Sequence, residues 1–274
     1  MALDGYHSTS VDFLVSSNPS SGAKNKNSLG SSFDVVFEKA YVYDHKARSI
    51  RLEILESELY FNQPNVGAEY ANQTVRIIGP NKTTNIIQVV DIVIPRGLYA
   101  PDSLNTAFQY QCDVANFPAN MIQIVANDPI NRIQLRFNNA SAQVSMSNPL
   151  YQGFAALIGF TPNLYVANFV GELVTGQLLP TFNKINYFTI TSNITSSATI
   201  VNGVSTHVIA RVLITGSAGY QILNSPNFPY SFDITYLRGT NVKQLTFQLR
   251  DDTGNLVDTG GENWSLRYRL SYEY

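Results

Sequence analysis

An all-β chain folded as a jelly-roll β-sandwich is what the sequence predicts, on three observations. Period-two alternation of apolar and polar residues recurs from Phe33 to the end. Only two short stretches carry helical spacing, and no strand–helix–strand rhythm joins the segments.

Taken in order, residues 16–32 (SSNPSSGAKNKNSLGSS) are small and polar, so residues 1–32 read as a flexible N-terminal arm. The arm carries one apolar cluster, Val11, Phe13, Leu14 and Val15; the alternatives are a frayed terminus and, the expectation carried forward, an arm that docks this cluster on a neighbouring subunit. In 50–61 the apolar phase runs Ile50, Leu52, Ile54 and then shifts to Leu55, Leu59, Phe61, which predicts a β-bulge within one strand. The run IIQVVDIVI (86–94) is apolar on both faces and predicts a central, buried strand. Residues 101–112 open with Pro and Asp and space Leu104, Ala107 and Phe108 on one side, predicting a helix. A second helix is predicted over 150–159, stopped by Gly159. Alternation then predicts strands through Ile133, Leu135 and Phe137; through Val208, Ala210, Val212 and Ile214; through Phe232, Ile234 and Tyr236; and through Leu245, Phe247 and Leu249. The last strand is the longest, with Trp264, Leu266, Tyr268 and Leu270 predicted to face the core and Arg267 and Arg269 to face outward.

Composition narrows the function classes. A net charge of −2 gives no electrostatic footprint for nucleic acid, and no direct nucleic-acid binding is expected. Charged residues are 14%, against about 25% in an ordinary soluble domain. Asn, Ser, Thr and Gln take their place, which suits faces covered by neighbouring subunits. The single cysteine, Cys112, forms no internal disulfide and reads as a small buried side chain. The opening residues lack the basic and apolar regions of a signal peptide, so none is expected.

Asp-Thr-Gly occurs twice, at 252–254 and 258–260, and the second copy follows Leu256 and Val257 as the loop of an aspartic protease would. Such a protease needs two carboxylates from distant parts of a chain, or from two chains, sharing one proton. Here the copies are six residues apart and only 14 residues follow Gly260. Gly254, Asp258 and Gly260 supply the residue types of a hairpin and its exit, and a structural turn is the expectation. Asp251, Asp252, Asp258 and Glu262 lack the alternating oxygen spacing of a calcium loop. His7, His45 and His207 are isolated. The sequence therefore predicts no enzyme activity, no cofactor and no metal.

Three segments in order carry a resemblance. VDIVIPRGLYAPDSLNTAF (90–108) joins an apolar strand to Ile-Pro-x-Gly-x-Tyr and a short helix; LYQGFAALIGF (150–160) is a helical turn closing in Leu-Ile-Gly-Phe; LTFQLRDDTGNLVDTGGENWSLRYRL (245–270) is strand, hairpin and terminal strand. Together they resemble the penton (vertex) proteins of double-stranded DNA viruses and Maverick/Polinton-type elements in the adenovirus–tectivirus capsid lineage, over residues 33–274. The resemblance implies a single jelly roll over 33–274, with the excess length expected in insertions around 113–130 and 160–205. It also implies a structural capsid protein that forms a homopentamer at the icosahedral fivefold vertices and contacts trimers of the major capsid protein. A spike, fibre or minor capsid protein is a further partner it allows, and the location it implies is the virion, assembled inside the host cell. The alternatives are a small major or minor capsid protein, or a receptor-binding spike, on the same fold.

Overall fold

A computed structural model describes residues 7–196, 199–201, 204–215 and 219–274. The chain divides into two compact units, one made of Met1–Gln63 with Ile185–Tyr274, the other of Pro64–Lys184. The first unit begins with β1 (Ser8–Ser16), β2 (Ala23–Lys24), β3 (Ser32–Val42) and β4 (Ser49–Tyr60). The second holds β5 (Thr74–Pro80), β6 (Ile87–Val93), α1 (Pro101–Val114), β7 (Ile122–Asn127), β8 (Arg132–Phe137), β9 (Gln143–Ser145), α2 (Pro149–Ile158), β10 (Leu164–Val166) and β11 (Glu172–Thr175). The chain returns to the first unit with β12 (Tyr187–Ser192), β13 (Thr199–Val201), β14 (Val204–Thr206), β15 (Val208–Leu213), β16 (Gln221–Asn224), β17 (Tyr230–Asp233), β18 (Asn241–Arg250) and β19 (Ser265–Glu273).

In the first unit one five-stranded antiparallel sheet runs β1-β19-β4-β16, with β17 also on β4. The other runs β15-β12-β18-β3-β2, and β13 and β14 form a separate hairpin. The two sheets bury their apolar faces against each other. Phe33 of β3 meets Trp264 edge-on at 5.0 Å, and Phe247 of β18 lies 6.1 Å from Tyr268 of β19. Tyr41 and Tyr272 join their hydroxyls across the gap at 2.8 Å. This is the sandwich that the alternation predicted. The bulge falls inside β4: Arg267 pairs with Glu56 and Tyr268 with Ile54, so Leu55 is the extra residue.

The second unit has its own core. The four-residue spacing of Leu104, Phe108 and Cys112 puts all three on the buried face of α1. They join Val75, Ile77, Ile124, Leu135, Phe154 and others in one cluster. Burial pushes the Cys112 thiol up to about 12, so it behaves as a small apolar side chain. Helix α2 is capped by Asn148, whose Oδ1 accepts from Leu150 N at 3.0 Å, and ends on Gly159 at φ +78°. The ends of the unit meet, because Asn65 donates to the carbonyls of Tyr99 (2.7 Å) and Phe182 (3.1 Å).

Four expectations are corrected here. The segment 86–94 is not central: β6 is the edge of the sheet β10-β9-β5-β6, with Ile87, Val89 and Val93 exposed and only Ile92 and Ile94 buried. A run that is apolar on both faces does not reveal whether a second neighbour exists. The strand expected over 232–236 stops at Asp233, where a 3₁₀ turn over Thr235–Leu237 begins. The two separate insertions expected at 113–130 and 160–205 are replaced over much of their length by one continuous unit, 64–184. Residues 197–198 and 202–203 of the expected second insertion lie outside the described residues. Finally, residues 8–24 are ordered structure rather than a flexible arm, with β1 paired to β19 from Ser8 to Ser16.

Candidate functional site

The site residues expected from sequence all lie in the first unit, in the segment from β18 to β19 and in β1 beside it. The first Asp-Thr-Gly is an Asx turn. Asp251 Oδ1 accepts from Thr253 N at 3.0 Å, Thr253 Oγ1 at 2.7 Å and Asn255 N at 2.8 Å. Gly254 takes φ +89°, which a side chain resists, and its carbonyl accepts from Arg250 Nη1 at 2.6 Å. The Asp252 carboxylate accepts from the backbone and side-chain amides of Asn186 at 3.0 and 2.8 Å.

The second copy closes a different turn. Asp258 Oδ1 accepts from Gly260 N at 2.9 Å, with Gly260 and Gly261 at φ +60° and +90°. Thr259 is buried; its amide donates to Leu29 O at 2.9 Å, and its hydroxyl lies 2.9 Å from Glu262 O. The side-chain amides of Gln63 and Asn62 donate to the carbonyls of Asp258 and Thr259. Asp251 and Asp258 thus each organise a turn and Asp252 is engaged by Asn186, whereas acid proteolysis needs two carboxylates sharing one proton. No group of three or more His, Cys, Asp or Glu side chains placed to share a metal occurs among the described residues.

Trp264 leads out of this hairpin into β19. It is 2% exposed, and its indole Nε1 donates to Gly30 O at 3.1 Å. Its backbone exchanges hydrogen bonds with Ser17, as Trp264 N donates to Ser17 Oγ and Ser17 N to Trp264 O. Leu266 and Tyr268 follow on the buried face. Burial raises the Tyr268 hydroxyl above its ordinary range, and that hydroxyl has no hydrogen-bond partner.

Strand β1 brings the four apolar residues of the expected arm onto β19 of the same chain. Phe13 stacks on Tyr268 with centroids 5.0 Å apart and meets Tyr41 edge-on at 5.2 Å. Val15 is buried, while Val11 is 44% and Leu14 75% exposed. Phe13 and Val15 are therefore spent on this chain's own core, a correction to the docking role expected for all four. Only Val11 and Leu14 are presented outward. Sequence reasoning passed over Asp12, which sits between Arg267 and Arg269 at 2.8 and 2.7 Å. The two guanidiniums, Arg269 first, hold its carboxyl down at about 2. The outward phase of Arg267 and Arg269 was legible, but not which strand would lie beside them.

No protein-family model and no curated protein matches the sequence. Among solved structures, the chain is similar to the selenomethionine-labelled mavirus penton protein, with a TM-score of 0.52 at 12% identity, covering 98% of this chain and 100% of that one. A chain of the Sputnik virophage structure determined by cryo-EM aligns with a TM-score of 0.45 at 12% identity over 96% and 97% of the two chains, a similarity too weak to support a shared fold. The fold is thus similar to that of the mavirus penton protein over nearly the whole of both chains.

Proposed function

We propose that this protein is a structural viral capsid protein: a penton, assembled as a homopentamer at the fivefold vertices and set among major capsid proteins. The observation that carries the reading is the likeness of fold to the mavirus penton protein over the whole of both chains. An alignment without large unmatched segments means that both units have a counterpart. The surface chemistry supports the same role. Apolar side chains such as Val89, Phe169, Leu179 and Phe228 are more than half exposed, and charge is sparse. Such side chains are available to line subunit contacts, which are depleted of charge. The role of the Asp-Thr-Gly hairpin is structural, and the location is the virion.

Closure of a ring by one repeated heterologous contact sets the copy number. Native mass spectrometry of the full-length protein tests the reading. Five copies are expected; a stable trimer would overturn the vertex assignment while leaving a capsid role on the same fold.

A further inference from the structure

The second unit contains an unpaired cation in a cleft. Arg132 opens β8 directly after the left-handed Asn131, and it lines a cleft of about 530 Å³ with Asn127, Asp128, Leu179, Phe182 and Asn183. Its Nη1 is buried without a hydrogen-bond partner. Arg76, Arg96, Arg267 and Arg269 each hold a carboxylate at 2.7–2.8 Å, and Arg132 is the one arginine among the described residues with a buried guanidinium nitrogen that lacks a hydrogen-bond partner. Asp128 shares the cleft yet makes no ion pair with Arg132, nor does any other carboxylate among the described residues. A partly buried guanidinium without a counter-charge is costly, and its planar fork fits a carboxylate.

We propose that this cleft binds an acidic peptide segment of a partner protein, with one carboxylate on the Arg132 guanidinium and an apolar neighbour against Leu179 and Phe182. Three features favour a peptide over a free phosphate. The cleft holds one cation beside one anion, too little positive charge for a dianion. Its walls include Pro101, Ile133, Leu179 and Phe182, which need an apolar occupant. The side-chain amides of Asn127 and Asn183 match the donors and acceptors of an extended backbone. Leu179 is 62% exposed, so this wall is open to a partner. The proposal is independent of the capsid reading, since it uses only the second unit's own surface.

The test is calorimetric titration of the full-length protein with acetyl-Ala-Leu-Glu-Phe-Ala-amide, in which the glutamate is the sole carboxylate, and with its glutamine analogue. The glutamate peptide should bind about tenfold more tightly, the scale of a charge-assisted hydrogen bond. Arg132→Gln should abolish that preference while leaving the melting temperature unchanged or raised, because it removes an uncompensated cation. Asp128→Asn, which keeps Arg132, should widen the preference. Equal affinity for the two peptides, or no binding of either, overturns the proposal. So does sodium acetate or inorganic phosphate binding as tightly as the glutamate peptide, because the cleft would then be an anion site only. A lowered melting temperature in Arg132→Gln with an unchanged peptide preference assigns Arg132 a structural role instead.

Discussion

Trp264 shows how one side chain joins several parts of the first unit: its indole is bonded to Gly30, its ring packs on Phe33, and its backbone is bonded to Ser17. Trp264→Ala leaves a void in a close-packed sandwich and should cost about 3–5 kcal/mol, read by denaturant unfolding. A loss under about 1 kcal/mol would mean that the site collapses around the void. Asp12 offers a different test. Its folded value, about 2, lies below the ordinary 3.8, so its contribution is fully present above about pH 4 and lost as pH falls toward 2. The pair is solvent-screened, so the effect is modest. Asp12→Asn should lower the melting temperature near neutral pH and flatten its decline between pH 4 and 2. Parallel melting curves across that range would show that the Arg267–Asp12–Arg269 bridge contributes nothing.

Strand β1 changes what its deletion means. Without residues 1–16, β19 becomes a raw edge and Tyr268 loses the ring of Phe13 that stacks on it. The truncated chain should therefore melt lower and aggregate more readily, measured by thermal scanning and light scattering. An unaltered melting temperature would make β1 dispensable to the fold and restore the idea of an independent arm. Strand β6 carries the converse lesson. Its exposed Ile87, Val89 and Val93 alternate along a sheet edge, a pattern that sequence alone reads as burial.

The continuous second unit has one buried cluster drawn entirely from its own residues, and its two ends are tied together by Asn65. Those are the properties of an inserted domain able to fold alone. Residues 64–184 expressed as a separate chain should unfold cooperatively, followed by near-ultraviolet circular dichroism. A spectrum without near-ultraviolet signal would mean that this cluster does not hold together by itself. The first unit is built the other way, because β4 and β3, from before residue 64, pair with β19 and β18 from after residue 184.

What sequence alone determined follows from local chemistry. Alternation placed β8, β18 and β19 and their buried faces, the phase shift marked the bulge at Leu55, Pro101 marked the start of α1 and Gly159 the end of α2. The turn character of Asp251–Gly254 and Asp258–Gly260 was likewise legible, because Asx turns and positive φ are short-range requirements. Tertiary structure decided the rest. Which strand lies beside which depends on pairings between residues hundreds apart, such as Phe13 with Tyr268, and a period-two pattern reads the same at an edge as in the middle of a sheet. Whether an arginine has a counter-charge is equally non-local: Arg267 and Arg269 find Asp12, while Arg132 finds none, and only the folded chain separates them.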